Sequence, residues 1–401
     1  MCGLVGFLGG DSLEGKEGTE ALLQRMADTI SYRGPNDSGY WCDMDQQIGL
    51  GHRRLSIVDL SSAGQQPMIS PSGRYVIVFN GEVYNHFDLR KELGESSWRG
   101  HSDTESLLAC FDRWGIQGAI ERVVGMFAFA VWDKSENTLF LGRDRIGEKP
   151  LYYGWQGSSF MFASELKALK KHPAFKAEIS RESVCLFLRY SYVPAPYSIY
   201  SGIQKLEPGC LLSLPQNQRE PKIWKYWSAI DLIKQGINSP FSGTPLEAVD
   251  ELELLAKDAI KQQMVADVPL GAFLSGGKDS STVVALMQAQ STQKIKTFSI
   301  GFHEEGYNEA VYAKAIAQHL GTDHTELYVP PDIARAVIPN IPSLYDEPFS
   351  DSSQIPTFLV AQLARQHVTV SLSGDAGDEL FGGYNRYQMT ASMWKKIELL
   401  P

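Results

Sequence analysis

Two groups of residues in this sequence have types and spacings suited to chemistry. The first begins at the chain start, where Cys2 follows the initiator methionine. A small second residue permits methionine removal, and a chain that begins at Cys2 carries a thiol and a free α-amine on one residue. That amine, with a reference pKa of about 8, can act directly or through water as the base a thiol nucleophile needs. A thiolate so formed can attack a carboxamide and expel ammonia. A cysteine at position 2 is most often incidental, so the reading leans on three further segments. His52-Arg53-Arg54-Leu55-Ser56-Ile57-Val58-Asp59 offers guanidinium groups able to clamp an α-carboxylate bidentately. Asn80-Gly81-Glu82 is expected at a strand end. There a side-chain amide and a backbone N–H can form an oxyanion hole, and Glu82 can meet an ammonium group. His101-Ser102-Asp103-Thr104-Glu105 sets Asp103 beside a helix start. Simpler readings stand beside these: Asn80-Gly81 as a hairpin turn, and Ser102 or Asp103 as a helix cap.

The second group is Leu274-Ser275-Gly276-Gly277-Lys278-Asp279-Ser280-Ser281, between an expected strand and an expected helix. Glycines there let the backbone approach a polyphosphate, and hydroxyls and N–H groups at the helix start donate to it. Asp279 can hold Mg²⁺, which offsets phosphate charge. No G-x-x-x-x-G-K-[ST] pattern runs through the loop, so it is not a Walker A motif. A generic Gly/Ser turn would be the bland reading. A second glycine loop, Ser373-Gly374-Asp375-Ala376-Gly377-Asp378-Glu379, follows the apolar run 368–372. Three acids at a strand's C-terminal end are costly unless they meet cations or protons, and ligands of open α/β sheets bind at that end. A purely structural reading makes Asp375 and Asp378 helix caps.

The elements that must position these residues change character along the chain. In the first half, short β-type segments at 3–8, 75–79, 127–132, 138–143 and 159–164 alternate with turn residues. Apolar residues at helical spacing mark helices over 19–30 and 104–114. Strands with helices outside them imply a layered α+β domain. Proline-bearing polar stretches near 215–221 and 238–245 are the boundary candidates, with Trp224, Tyr226 and Trp227 available to pack the linker onto a domain. From about Pro245 helices and strands alternate: helix 246–264, strand 270–274, helix 281–289, strand 295–302, helix 308–320, strand 325–329, helix 356–365, strand 368–372. That rhythm implies a doubly wound parallel sheet. The expected division is therefore 1–214, a linker over 215–244, and 245–401. Leu399-Leu400-Pro401 follows a helical run, which suggests that the second domain continues beyond this sequence.

Composition narrows the classes. The 401 residues are 43% hydrophobic and 21% charged, with a formal net charge of −10. That balance suits a soluble globular protein and disfavours nonspecific contact with nucleic acid or anionic membrane. The five cysteines are widely spaced without a CxxC pair, which indicates neither a zinc site nor a disulfide framework and fits a reducing cytoplasm. No segment has the length and apolarity of a membrane helix, and the N-terminus lacks signal-peptide character.

Met1-Cys2-Gly3, Arg33-Gly34-Pro35, the 54–59 run, Asn80-Gly81-Glu82-Val83-Tyr84-Asn85 and Ser102-Asp103-Thr104-Glu105 together resemble the glutaminase domain of class II glutamine amidotransferases. The pattern is that of the glutamine-hydrolysing asparagine synthetase branch. The two later loops resemble the pyrophosphatase and acidic loops of the same family. The resemblance implies an N-terminal-nucleophile αββα sandwich followed by an α/β ATP-pyrophosphatase domain with a mostly parallel sheet. It implies Cys2 as nucleophile, with Asn80 and Gly81 as its oxyanion hole. Glutamine would be held by Arg54, Leu55, Ser56, Ile57, Val58, Asn80, Gly81, Glu82 and Asp103. ATP would meet Leu274, Ser275, Gly276, Gly277, Asp279, Ser280, Ser281, Ile300, Ser373 and Gly374. Asp279 and Asp378 would share Mg²⁺, and Asp375 would take part in acid/base or acceptor-binding work. The segment 345–353 would lie near the acceptor. Arg143–Tyr153 and Met126–Trp132 also match the family, as structural stretches.

The implied partners are glutamine, ATP and a carboxylate acceptor, aspartate first, with a homodimer allowed. The implied reaction is formation of an amide, AMP, pyrophosphate and glutamate. Three positions depart from the family: Asn36 where aspartate is usual, Lys278 where an apolar residue is usual, and Asp375 where glutamate is usual. Lys278 and Asp375 leave room for a non-aspartate acceptor in polysaccharide or peptide modification; Asp37 follows Asn36, so that departure carries little weight. A ligase that uses no glutamine would have no need of Cys2. Cys2 speaks against that reading, and the joint presence of Cys2, Arg54, Asp279 and Asp378 speaks against a non-enzymatic regulatory or storage protein of the same fold.

Overall fold

In the computed structural model, residues 2–10, 15–94, 97–303 and 308–398 are described. Met1, whose removal the nucleophile reading requires, and Leu399–Pro401 lie outside the described residues. The chain divides into two compact units, one of residues 1–242 and 341–351, the other of 243–340 and 352–401.

The first unit is built on two six-stranded sheets. In one, Gly3–Leu8 pairs antiparallel with Ile48–Arg54 and with Ser159–Ala163. In the other, Tyr75–Val83 pairs antiparallel with Gly125–Asp133, which pairs in turn with Thr138–Arg143. Side chains alternate along a strand, and here both faces are buried. Leu4 and Leu8 join Ile48, Leu50, Val76 and Val78 in the core between the sheets. Val5 and Phe7 face the other way, onto Leu22, Leu23 and Met26 of helix Gly15–Asp28. Ile77 and Phe79 face Leu107, Leu108 and Phe111 of helix Asp103–Arg122. Four layers result, helix–sheet–sheet–helix, which is the expected αββα sandwich. The dominant contribution is apolar burial, at about 25 cal/mol per Å².

The second unit has four parallel strands in the order Asp323–Tyr328, Lys296–Gly301, Leu270–Phe273, Val370–Leu372. Ala272 and Leu274 point to Ile260, Val284, Met287, Ala313 and Ala317 on three helices. Phe273 and Phe298 lie against Leu363 and Ala364 of helix Gln354–Arg365. Helices therefore cover both faces of a parallel sheet, as the alternating rhythm implies.

Several boundaries differ from expectation. The strand that starts at Tyr75 runs to Val83, and the helix over 104–114 runs from Asp103 to Arg122 across a break at Gly115. The stretch expected as linker, 215–244, carries strand Lys222–Lys225, which pairs with Cys210–Pro215, and helix Ala229–Asn238. Trp224 and Tyr226 do pack onto the first unit's core. The first unit also takes in 341–351 from the expected second domain. Helices His86–Leu93 and Arg181–Tyr190 were not marked by the apolar periodicity.

Candidate functional site

One cavity in the first unit gathers candidate residues from four distant parts of the sequence. Cys2, Arg54, Leu55, Ile57, Val58, Asn80, Gly81, Glu82 and Asp103 all border it. Ser56 does not border it; its backbone N–H donates to the Asn36 side-chain oxygen at 3.0 Å. An aspartate at position 36 would offer the same acceptor, so this departure from the family leaves the loop's support intact.

Cys2 immediately precedes Gly3–Leu8, an interior strand of its sheet, and borders the cavity. Its Sγ lies 3.4 Å from the Leu55 N–H and 3.6 Å from the Leu55 carbonyl oxygen. Burial pushes the thiol pKa up. A thiol so placed is not a standing thiolate, and attack needs a base at the moment of reaction.

Asn80, Gly81 and Glu82 stand inside a strand, opposite Ala128, Phe127 and Met126. They fall in the last four residues of a strand that ends at Val83, so the strand-end placement holds and the hairpin-turn reading gives way. Position 81 admits only glycine, because a Cβ there would come within 2.2 Å of the Met126 carbonyl oxygen. Asn80 is fully buried, yet neither its amide nitrogen nor its oxygen has a partner among the described residues. A buried amide left unpaired costs on the order of 1–3 kcal/mol, which is sensible where a ligand completes it.

Two acids share the cavity. Burial, then the nearby Asp103 carboxyl, push Glu82 up to about 7. Burial also raises Asp103, although its carboxylate accepts from the Val83 N–H at 2.9 Å and the Thr104 N–H at 2.8 Å. Two close carboxyls with raised pKa values favour a bound cation or proton between them. The helix-cap reading is half right: Ser102 caps the helix by accepting from the Thr104 N–H, and Asp103 is its first residue.

Arg54 is held from behind. Its terminal nitrogens donate to the carbonyls of Ser61, at 2.9 Å, and Asp59. A guanidinium has five N–H donors, so donors remain for a carboxylate. The other candidates in that run serve the fold: His52 bonds the Phe79 carbonyl at 3.0 Å and burial lowers it to about 4, while Arg53 pairs with Asp28.

The cavity also includes residues that sequence reasoning did not single out. Gln66 accepts from the Phe79 N–H at 2.6 Å and donates to Thr104. Lys149 borders the same space, and burial lowers its pKa. Lys149 lies within the family-like run 143–153, and no signal in the sequence marks Gln66. The rest of the 143–153 run is structural: Asp144 accepts from the N–H groups of Phe127, Gly147, Glu148 and Lys149.

In the second unit, the two glycine loops leave adjacent parallel strands. The first runs from Leu270–Phe273 into helix Lys278–Ala289, and Gly276 has φ +86°. Ser275 Oγ lies 3.0 Å from Ser280 Oγ, and Ser281 Oγ donates to the Gly277 carbonyl at 2.6 Å. The second loop packs on the first. A Cβ at Gly374 would come within 2.5 Å of Ser280 N, and one at Gly377 within 2.5 Å of the Asp279 carboxylate. Ser373 Oγ donates to Asp375 Oδ2 at 2.9 Å. Ala376, at φ +70°, precedes helix Gly377–Phe381, so neither Asp375 nor Asp378 caps it.

Leu274, Ser275 and Ile300 border a cavity with Phe273, Phe298 and Pro356. Gly276, Gly277, Asp279, Ser280, Ser281, Ser373 and Gly374 are not in its lining and form the two loops beside it. Among the described residues no three acidic, histidine or cysteine side chains converge on a metal-binding point. Asp279 stands in the first turn of helix Lys278–Ala289 and Asp378 in that of Gly377–Phe381, each following one of the two touching loops; carboxylates are the oxygen donors that Mg²⁺ takes together with phosphate oxygens and waters.

In the segment expected near the acceptor, two carboxylates already have partners. Asp346 accepts from the Lys167 N–H at 3.1 Å, and Glu347 accepts from the Ile199 N–H at 2.7 Å and pairs with Lys205. Both carboxylates belong to the first unit.

Residues 1–227 match the family model for a glutamine amidotransferase domain, and residues 251–401 match that for asparagine synthase. A protein of Methanocaldococcus jannaschii named as a glutamine-hydrolysing asparagine synthetase is 38% identical over 97% of this chain and 77% of its own. Asparagine synthetase [glutamine-hydrolyzing] 1 of Bacillus subtilis is 36% identical over 100% of this chain and 61% of its own. A Mycobacterium bovis protein, also named as a glutamine-hydrolysing asparagine synthetase, is 36% identical over 100% of this chain and 63% of its own. The chain thus spans less than two thirds of the length of two of these three relatives. No helix among the described residues is long and apolar enough to cross a membrane.

Proposed function

This chain belongs to the glutamine-hydrolysing asparagine synthetase family, and from that premise we propose that it carries the glutaminase half and the nucleotide-binding part of an amide ligase. Cys2 is the nucleophile. With Met1 removed, its own amine takes the thiol proton as Sγ attacks the glutamine carboxamide. The Asn80 side-chain N–H and the Gly81 backbone N–H receive the oxyanion, and ammonia leaves a glutamyl thioester that water cleaves to glutamate. Arg54 clamps the substrate α-carboxylate. Glu82 and Asp103 take its α-ammonium, which supplies the cation their shared burial favours. The observation that carries this reading is the buried, unpartnered Asn80 amide in the same cavity as Cys2.

In the second unit, Leu274, Ser275 and Ile300 hold adenosine, and the 275–281 and 373–374 loops receive the phosphates of ATP. Mg²⁺, when bound, neutralises the phosphates, and Asp279 and Asp378 are the residues to hold it. An acceptor carboxylate, aspartate first, attacks the α-phosphate and releases pyrophosphate, and ammonia then displaces AMP. Asp375 takes part in acceptor binding or proton transfer.

The test supplies protein with ATP, Mg²⁺, glutamine and a panel of carboxylic acids, and measures glutamate, AMP and amide together. Aspartate-dependent AMP and asparagine support the full reading. AMP formed with a different acid reassigns the acceptor. Glutamine left intact refutes the glutaminase.

A further inference from the structure

The segment 341–351 is joined at both ends, in sequence, to the second unit, yet it is part of the first. A continuous run of alternating charge leads from it to the nucleophile. Asp346 receives the Lys167 N–H at 3.1 Å, and the Lys167 ammonium lies 3.5 Å from its other oxygen. The same ammonium lies 2.6 Å from Glu165 Oε2 and donates to the Ser343 carbonyl at 3.0 Å. Glu165 Oε1 receives Arg33 Nη1 at 2.7 Å. Arg33 Nε donates to the carbonyl of Cys2 itself at 2.9 Å. Tyr32 buttresses the middle, with its hydroxyl donating to Glu165 and accepting from Lys167 at 2.8 Å. The four charged side chains are only 10%, 12%, 19% and 9% exposed from Arg33 to Asp346. They are therefore weakly screened, and each fixes its neighbour.

The far end is anchored. Glu347 receives the Ile199 N–H and the Tyr152 hydroxyl, the latter at 3.2 Å, and the Ser350 N–H donates to the Ser191 carbonyl at 2.8 Å. The near end is the residue whose geometry the reaction depends on. Cys2 lies just before the ladder that begins at Gly3, and the carbonyl that Arg33 holds adjoins the Cα that carries both the amine and Sγ, so the bond limits where that Cα can sit.

We infer that Asp346, acting through Lys167, Glu165 and Arg33, is a positioning residue for Cys2, so that the segment 341–351 gives the nucleotide-binding part of the chain a lever on glutamine hydrolysis. The inference rests on the reading of Cys2 as nucleophile. A relay of this kind turns the attacking group without touching the groups that hold glutamine. Its loss lowers kcat and leaves KM in place.

The test measures glutamate release by the 401-residue protein carrying Glu165→Gln, Asp346→Asn or both, with thermal midpoints alongside. The relay predicts kcat about tenfold lower for Glu165→Gln and several-fold lower for Asp346→Asn, KM within about twofold, and a double variant no worse than Glu165→Gln. Asp346→Glu, which keeps the charge and shifts its reach, retains more of kcat than Asp346→Asn; it carries the test should the latter not fold. Losses that multiply in the double variant, or an Asp346→Asn protein that melts earlier at unchanged kcat, overturn the inference and leave the nucleophile assignment standing. Hydrolysis that persists in Cys2→Ala overturns both.

Discussion

The proposed sites of the two units are built in opposite ways. The first surrounds its cavity with strands buried on both faces and leaves polar atoms unpaired there: the whole Asn80 amide and one oxygen of Glu82. It carries the cost of desolvation before the substrate arrives. The second places its ligand groups on two loops at the ends of short parallel strands, with Ser275, Gly277 and Asp375 among the exposed residues. Its precision comes from glycine, since Gly374 and Gly377 let one loop lie directly on the other. A small zwitterion offers few contacts, so its pocket is preorganised. A polyphosphate brings several charges, so an open pair of loops suffices.

The contrast can be broken at either end. The largest effect is expected from Cys2→Ala, which removes the nucleophile and should abolish glutamine hydrolysis while ammonia-dependent chemistry at the second unit continues; parallel assays with glutamine and with ammonium salts check this. Asn80→Ala comes next. Loss of one oxyanion donor should lower kcat for glutamine by about 10²–10³, measured as glutamate release at saturation. In the second unit, Gly374→Ala or Gly377→Ala forces the loops apart, because the new methyl would overlap Ser280 or Asp279. Either should weaken nucleotide binding by about tenfold or more, with glutaminase kcat unchanged; equilibrium binding of a non-hydrolysable ATP analogue checks it.

A smaller effect sharpens the account of the first cavity. Glu82, pushed up to about 7 by burial and by Asp103, gains its proton as pH falls through that value. The protonated form attracts an ammonium less, so KM for glutamine should rise below about pH 7, and Glu82→Gln should flatten that rise. A pH series of KM on both proteins decides it. Asn36→Asp should change least, because the acceptor for Ser56 N–H survives.

Much of this arrangement is legible in the sequence, for identifiable reasons. Leu4/Leu8 against Val5/Phe7 is a period-two pattern with two apolar faces, and only a sheet packed on both sides satisfies it. The glycine loops announce themselves because a close backbone approach tolerates no other residue. The less legible features are those that long-range contacts decide. Asn80-Gly81 has the local signature of a turn, yet pairing with Phe127 and Ala128 holds it as strand. Nothing local in the sequence marks the lysine partners of Asp346 and Glu347, which lie more than 140 residues away. Gln66 and Lys149 join the cavity through folding alone. Helix Ala229–Asn238, with no buried residue, lies where proline and polar residues suggested a linker.

The most direct measurement of the central claim is the mass of the N-terminal peptide after the protein reacts with a γ-diazoketone analogue of glutamine. The account predicts a peptide that begins at Cys2, with the adduct on its sulfur and activity lost in proportion. Active protein that retains Met1, or inactivation with the adduct on another residue, would contradict it.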